Sequence, residues 1–333
     1  MSDYIENKVR KWGDRKCRET NLRLEYLEKK LFSSYKICLP PQPDFWARIQ
    51  KWIENANGNE DLEKELFNSI NEIFYIGPDE FDELFRRAYN GPIARWLIDL
   101  YDIDVTNIKT AKEALIEEVK HTLFCPISDS FNINHFYHIN NIPGEADIRP
   151  EWRTLEMLGD QQQIRNLFNN NQIRNIVLLE DFVGGGSQAS DSLIFANNFS
   201  DVVSILYVPL IICPEGLVNT EKLSQRLGFL FEPVLPLSVD MFVQKATFHN
   251  EPKQMDDLRT LANKTYLTVS NGQAPGARNP VDGRFLKPYY PLGWDQTGGL
   301  VVMHTNTPDN TLPMFHFKSV RWEPIFPRHS RNE

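Results

Sequence analysis

The sequence lacks the features that mark membrane and secreted proteins. It contains no apolar stretch of about 18 residues or more, the length that a membrane-spanning helix needs. Its longest apolar run, VVSILYVPLIICP, is interrupted by Ser204 and Pro209 and predicts a buried strand. The first residues, MSDYIENKVRKWGDRK, are too charged for a secretory signal peptide. We therefore expect a cytoplasmic protein that makes no use of a membrane.

Cysteine is also scarce, and the chain carries no excess of positive charge. The four cysteines are Cys17, Cys38, Cys125 and Cys213. None of them forms a CxxC pair, and their spacing does not match that of metal ligands. We therefore predict reduced thiols in a cytosol. The 36 basic and 45 acidic residues give a net charge of −9. This balance argues against broad nonspecific binding of nucleic acid, and leaves such contact to a partner protein or to a local basic patch.

The chain is long enough for one large domain or two ordinary ones, at 333 residues. Its pattern predicts three parts. Residues 1–35 predict a charged helix, packed on its own domain or, alternatively, used as an assembly contact. Residues 36–121, beginning in the proline-rich KICLPPQPDF, predict a helical subdomain. Residues 122–328 predict an α/β domain.

Helical spacing dominates the second part. Apolar residues recur at intervals of three and four, for example at Phe45, Ile49, Trp52 and Ile53. We interpret this aromatic stripe as core packing. The helical pattern extends from Pro43 to His121.

The spacing of apolar residues changes after residue 121, from the helical intervals of three and four to short apolar runs. We predict a strand near Thr122–Ile127, a loop at Ser128–Ser130 and a second strand near Ile133–Ile139. His135 and His138 in that second segment are surface or hydrogen-bonded histidines or, alternatively, two ligands of a metal. Strand and helix then alternate to about residue 270, which predicts a mainly parallel sheet flanked by helices. The later elements are a polar helix (Trp152–Asn169), strands at Val202–Ile212 and Phe231–Leu237, and helices at Leu217–Phe229 and Met255–Leu267.

The stretch that organises this domain runs from Arg174 to Phe199. Four apolar residues, 176–179, predict a central strand whose carboxyl end emerges at Glu180 and Asp181. Gly184, Gly185 and Gly186 follow, and Ser187 is expected to cap a helix that begins near Gln188. A glycine loop at a helix N-terminus is a site for an anion, because backbone N–H groups point outward and the helix dipole favours negative charge.

The two acids narrow the identity of that anion. Two carboxylates would repel a bare phosphate, so they are expected to face donors, such as the vicinal hydroxyls of a ribose, or a ligand-borne Mg2+. A phosphate on the loop and hydroxyls on the acids together describe a ribose 5-phosphate. A glycine turn beside two solvated acids is the alternative. The loop is neither a Walker loop, since no Gly-Lys-Ser/Thr follows, nor a GxGxxG loop.

This arrangement resembles the signature of type I phosphoribosyltransferases, which bind phosphoribosyl pyrophosphate (PRPP). The resemblance implies that Glu180 and Asp181 hold the ribose hydroxyls and that residues Gly184 to Gln188 hold the 5-phosphate. It also implies that Ser128, Asp129 and Ser130 receive the pyrophosphate, with Mg2+ between Asp129 and that group. The usual loop of that family has a hydroxyl residue where Gly185 and Gln188 stand, so two phosphate donors are missing here.

The C-terminal third carries a second group of signals. SNGQAPGARNPVDGRFLKPYYPLGW is a long loop with Arg278, Arg284 and Lys287, either a basic lid over a phosphate site or a solvated surface loop. GGLVVMHTNTPDNTLPMFHF predicts a strand, a turn at 305–313 and another strand. The turn's side chains, Asn306 and Asn310 among them, bind their own backbone or present amides to a nucleobase.

EDFVGGGSQ (180–188), together with the late block from Pro291 to Arg328, resembles the PRTase-CE family of phosphoribosyltransferase-like proteins from bacterial conflict and antiviral operons. Its members share a DDFIGSGNQ-type strand and a block like PLGYGD…HNTPNNTLPIFW…PLFPR. Gln188 is therefore normal within this family. Departures from its pattern are Glu180, Gly185, Ser187 and Trp294.

The resemblance implies a phosphoribosyltransferase-like fold and an antiviral effector that binds PRPP or a ribose-5-phosphate nucleotide, with Mg2+, and transfers or hydrolyses the ribosyl group. A catalytically inactive nucleotide or PRPP sensor is the competing hypothesis. A scaffold subunit, either purely structural or holding nucleic acid through the charged helix at residues 1–35, is a third hypothesis. Other proteins of a defence operon are the expected partners.

Overall fold

The structure is a computed structural model that describes residues 3–35, 43–142, 152, 155, 160–247 and 251–329. Two predicted features lie wholly or partly outside these residues. One is the proline-rich break, with most of its residues and Cys38. The other is the predicted helix Trp152–Asn169, of which most residues before 160 are not described. The chain divides into two compact units, one formed by Met1–Pro78 with Asp240–Glu333 and the other by Asp79–Val239. The predicted boundaries after residues 35 and 121 follow a different division and stay predictions.

The helices, in chain order, are α1 (Asp3–Trp12), α2 (Arg15–Lys30), α3 (Phe45–Glu54), α4 (Glu60–Ser69), α5 (Pro78–Ala88), α6 (Ala94–Leu100), α7 (Ile108–Lys120), α8 (Ile133–Ile139), α9 (Gln161–Asn170), α10 (Ser187–Asn197), α11 (Pro214–Leu227), α12 (Lys253–Val269) and α13 (Pro313–His316). The strands are β1 (Phe74–Ile76), β2 (Thr122–Pro126), β3 (Asn175–Val183), β4 (Ser204–Ile212), β5 (Leu230–Phe231), β6 (Leu235–Pro236) and β7 (Val301–Met303). Short 3₁₀ or π segments cover Phe32–Ser34, Ile70–Glu72, Tyr89–Ile93, Val239–Met241 and Trp294–Gln296. Within the described residues, no helix has the length and apolarity to cross a membrane.

The second unit is built on a parallel sheet in the order β2-β3-β4-β5, and β6 pairs with the far end of β4. The prediction of a parallel sheet flanked by helices is confirmed. β3 and β4 are long and almost wholly buried, as expected for central strands covered on both faces. Side chains from β2, β3 and β4 pack with α9, α10 and α11 in one apolar layer, which includes Cys125, Leu178, Tyr207, Phe168, Leu193 and Leu223.

The first unit is mainly helical. Its core collects the predicted aromatic stripe, since Phe45, Ile49, Trp52 and Ile53 are all buried. Helical spacing does not extend through the whole of residues 43–121, however. Phe74–Ile76 forms strand β1, which pairs in parallel with β7 (Val301–Met303), so a partner distant in sequence overrides the local pattern.

The predicted single helix over residues 1–35 is wrong in one respect. The chain breaks at Gly13, whose φ is +61°, and Asp14 caps a second helix by accepting a hydrogen bond from the Cys17 N–H at 2.8 Å. Both helices bury side chains in the first unit, among them Ile5, Val9 and Leu24. This packing fits the prediction of helices laid on their own domain.

Two predicted strands are helical. Residues 133–139 form α8, because the Asn132 side chain accepts from the His135 N–H at 3.1 Å and starts a helix that buries Phe136. Residues 313–316 form the helical turn α13, which begins with Pro313, a residue suited to the first helical position. The predicted strand at 231–237 is reduced to the two short pairings of β5 and β6.

Candidate functional site

Glu180 and Asp181 lie inside β3, which continues to Val183, and not beyond its end as the sequence predicted. Each keeps only 5% of its surface exposed. Because side chains alternate along a strand, Glu180 shares the face of Leu178 and Asp181 shares the face of Leu179. A ligand that contacts both acids therefore has to approach at the carboxyl-terminal end of β3, where both faces of the sheet can be reached.

Asp181 is joined to the loop that follows β2. The register places Leu179 beside Pro126, so residues 127–130 leave β2 next to the acids. The Ser130 hydroxyl donates to Oδ1 of Asp181 at 2.9 Å, and the hydroxyls of Ser128 and Ser130 lie 2.7 Å apart. The Phe182 N–H donates to the same Oδ1 at 2.9 Å. The structure thus brings the predicted pyrophosphate loop and one of the predicted ribose acids together; Asp129 lies exposed between the two serines.

Burial raises the pKa of Asp181 above its ordinary value, and the hydrogen bonds from Ser130 and from the Phe182 amide oppose that rise. The result is a carboxylate that water does not stabilise and that its hydrogen-bond donors stabilise only in part. Such a group gains from any further donor or cation that reaches it.

Glu180 lies on the other face with Tyr207, whose side chain is fully buried and stacks on Phe231 with ring centroids 5.8 Å apart. Burial raises the pKa of Tyr207 well above its ordinary value, and the charges of Glu180 and Asp181 add to that rise. The phenol therefore stays protonated. Tyr207 carries no distinguishing signal in the sequence, because a tyrosine within an apolar run indicates only a buried strand.

The glycine loop turns sharply into α10. Gly186 occupies the N-cap position with φ of +84°, a left-handed conformation that favours glycine, so Ser187 is the first helical residue and not the cap. The carbonyl of Gly186 accepts from the Ser190 N–H at 3.1 Å and from the Ser190 hydroxyl at 2.9 Å. The carbonyl of Gly185 accepts from Nδ2 of Asn219 at 2.9 Å.

The amides of the same loop are available. Within the described part of the chain, none of the N–H groups of residues 184–188 donates to a protein group. Free amides in succession at the start of a helix attract an anion, as the helix dipole does. The loop can therefore supply main-chain donors even though Gly185 and Gln188 lack the hydroxyls of the usual transferase loop.

The described residues contain no cluster of three or more histidine, cysteine or acidic side chains able to hold a metal by themselves. The oxygen atoms of Asp181, Ser128 and Ser130 are nevertheless of the type that Mg2+ prefers, and Mg2+ bound to substrate phosphates needs only one or two protein carboxylates. His135 is hydrogen-bonded to Asp82 at 2.6 Å. Cys17, Cys125 and Cys213 are buried free thiols.

The remaining predicted site residues belong to the other unit. Asn306 donates from Nδ2 to the carbonyl of His329 at 3.1 Å, and its Oδ1 accepts from the Thr307 N–H at 2.9 Å. Asn310 donates to the Thr297 hydroxyl at 2.9 Å. The turn thus uses both side chains for its own backbone or neighbours, and a nucleobase contact stays a prediction.

In the basic loop the guanidinium of Arg278 lies 3.7 Å from the centre of the Phe285 ring, and Arg284 lies 3.8 Å from Asp282. These contacts lie within the loop itself. The choice between a lid and a surface loop stays open to experiment.

Comparison with protein families supplies the remaining finding. The family model PRTase-CE matches residues 49–328, which is most of the chain and includes β3, the glycine loop and the late block to Arg328. Comparison with curated proteins gave no match, and comparison with solved structures gave none. On the strength of the family-model match, the chain belongs to the PRTase-CE family and is a phosphoribosyltransferase-like protein.

Proposed function

We propose that the protein binds PRPP or a ribose-5-phosphate nucleotide at the glycine loop and transfers or hydrolyses its ribosyl group. One observation carries the proposal: the free amides of residues 184–188 form the strand-to-helix turn that directly follows β3, and β3 carries the buried carboxylate of Asp181. A phosphate needs the first feature, and sugar hydroxyls fit the second.

Each group has a defined part in this proposal. The loop amides bind the 5-phosphate, Glu180 and Asp181 accept hydrogen bonds from the ribose hydroxyls, and Ser128 to Ser130 contact the pyrophosphate. When the bond from C1 to pyrophosphate breaks, positive charge develops on the ribose ring. A buried carboxylate stabilises that charge strongly, because little water screens it and the strand already holds it in place.

The oxygens of Asp181, Ser128 and Ser130 would hold Mg2+ bound to PRPP, and Asp129 lies on the exposed side of the same loop. The metal would neutralise charge on the leaving pyrophosphate. The oxygen-only donor set of this loop suits Mg2+ and does not suit a softer metal. No residue is assigned as a general base.

Calorimetry tests binding, and product analysis tests turnover. Titration of the protein with PRPP and Mg2+ should give saturable binding that Asp181→Asn weakens. A coupled assay should then show release of pyrophosphate, or of free base when a nucleotide is supplied. Binding without any product would reject the enzyme and leave the sensor; absence of binding would reject both.

The sensor hypothesis has its own supporting observation. Gly185 stands where transferases carry a hydroxyl residue, and burial raises the pKa of Asp181, which favours its neutral form over the carboxylate that would stabilise a developing positive charge. A neutral Asp181 would stabilise a charged transition state less, while the loop amides would still bind the phosphate of a ground-state ligand. In that case the loop binds its ligand and the protein signals occupancy to a partner.

The antiviral role rests on the family resemblance, as do partners encoded in the same defence operon. Expression of the wild-type chain with its neighbouring genes should protect cells from phage, and Asp181→Asn should abolish protection. Protection that survives in Asp181→Asn would favour a scaffold.

A further inference from the structure

The glycine loop is contacted along one side by α11, at Gly216, Asn219 and Thr220. Nδ2 of Asn219 donates to the carbonyl of Gly185 at 2.9 Å. The backbone of Gly216 lies so near the loop that a Cβ added there would be 2.3 Å from the carbonyl oxygen of Gly184. We propose that Asn219 is a positioning residue which aims the phosphate-binding amides of the loop, and that Gly216 permits the close contact that this requires.

The geometry of the peptide unit decides the direction in which the loop amides point. A trans peptide is planar, and its C=O and N–H point in opposite directions. The carbonyl of Gly185 and the N–H of Gly186 belong to one such unit. Because Asn219 holds that carbonyl toward α11, the Gly186 N–H points away from α11. The carbonyl of Gly184 faces Gly216 on α11, so the Gly185 N–H of the same peptide unit also points away from α11.

Without Asn219 this orientation has little support. Glycine peptides rotate easily, since no Cβ restricts φ and ψ. A rotated Gly185–Gly186 unit would present a carbonyl to the anion in place of a donor, and a phosphate would be repelled. Asn219 itself lies on the side of the loop opposite to the freed amides, so it acts through Gly185 without touching the ligand.

Gly216 supplies an independent sign of the same contact. It lies in the first turn of α11, where a glycine is unfavourable for helix stability relative to alanine. Any larger residue would overlap the Gly184 carbonyl, so the glycine is explained by the approach of the loop to the helix. A glycine shortly after Pro214 is a weak sequence signal, and only the packing reveals its purpose.

This inference rests on the proposed phosphate site, and the experiment separates the two. The probes are inorganic phosphate and ribose 5-phosphate, followed by calorimetry and by the amide resonances of Gly185 and Gly186 in a nitrogen–proton correlation spectrum. The variants are Asn219→Ala, which removes the donor without adding charge, and Asn219→Gln, which keeps an amide on a longer side chain. Asn90→Ala is the matched control, because Asn90 is also exposed and donates to a backbone carbonyl, that of Arg86, at 3.0 Å.

Asn219→Ala should weaken the binding of both probes about tenfold, the effect expected when one charge-assisted hydrogen bond is lost. Asn219→Gln should recover part of that loss, and Asn90→Ala should bind as wild type does. The glycine amides should shift on adding phosphate to wild type, and much less in Asn219→Ala. Gly216→Ala should weaken phosphate binding too, with a measurable loss of thermal stability.

Unchanged phosphate affinity and unchanged glycine shifts in Asn219→Ala would overturn the inference while leaving the phosphate site intact. Wild-type protein that binds neither probe would overturn the proposed function itself. Equal weakening in Asn219→Ala and Asn90→Ala would show a general effect of losing a surface hydrogen bond, and would also overturn the inference.

Discussion

The hydroxyl of Ser130 donates a 2.9 Å hydrogen bond to Oδ1 of Asp181, which joins the loop after β2 to the strand beside it. The two residues are distant in sequence, and the parallel register of β2 and β3 brings them together. Through this bond, two segments that the sequence predicted separately become parts of one site. Each end of the bond can be tested.

Asp181→Asn should raise stability at neutral pH while weakening ligand binding. Burial raises the pKa of Asp181 above its ordinary value of 3.8, so the folded state binds this proton more tightly than the unfolded state. Stability is then highest below that ordinary value and falls as pH rises through the raised pKa. The hydrogen bonds from the Ser130 hydroxyl and the Phe182 N–H both end on Oδ1, so an asparagine can keep them without the charge.

We expect a gain of about 1–2 kcal/mol for Asp181→Asn near pH 7, measured by denaturant unfolding. The gain should shrink as pH falls toward 4, because the wild-type carboxyl then becomes neutral as well. A destabilised Asp181→Asn protein at pH 7 would contradict this account.

Ser130→Ala should raise the pKa of Asp181 further. The serine donates to the charged form, so its removal leaves that form less stabilised. If ligand binding requires the carboxylate, the midpoint of the binding profile should move to higher pH in Ser130→Ala, with a smaller move in Ser128→Ala, since the Ser128 hydrogen bond lowers the pKa of Asp181 less than the Ser130 hydrogen bond does. Calorimetry across a pH series measures both midpoints. Identical midpoints in all three proteins would show that this bond does not tune the acid.

Gly186→Ala should destabilise the protein by about 1 kcal/mol, because its φ of +84° is unfavourable for a residue with a Cβ. Steric overlap should add little, since the nearest atoms to an added Cβ are 3.5 Å away. Gly91→Ala is the control: it lies in open space without a positive φ, and should be neutral or slightly stabilising. Equal stability losses in the two variants, by thermal unfolding, would contradict a conformational role for Gly186.

His316 should stay neutral through the range in which most histidines titrate. Full burial, with a smaller contribution from the positive charge of Arg328, lowers the pKa of His316 from 6.5 to about 3. Its Nε2 lies 3.1 Å from the carbonyl of Thr311, so the neutral ring donates there. Because the unfolded chain binds this proton first, stability is lost as pH falls below 6.5. The ring resonances of His316 should not shift between pH 8 and 5; a midpoint near 6 would refute the buried, neutral form.

Much of the fold followed from local pattern. The apolar run before Glu180 predicted the central strand, and the helical spacing of Phe45, Ile49 and Trp52 predicted a buried face. The pattern failed in two short segments, for different reasons. Phe74–Ile76 became a strand because it pairs with the distant Val301–Met303. Residues 133–139 became a helix because the adjacent Asn132 caps it, a local signal that the spacing of apolar residues does not contain.

The sequence by itself determined the ingredients of the candidate site: a buried strand, two acids, three glycines and a helix start, since each depends on residues near one another in the chain. Only the tertiary structure decided how they are arranged. Parallel register placed Ser130 beside Asp181, and the packing of α11 on the glycine loop brought the Asn219 side chain to the carbonyl of Gly185. These relations depend on contacts between segments dozens of residues apart, which no local spacing encodes.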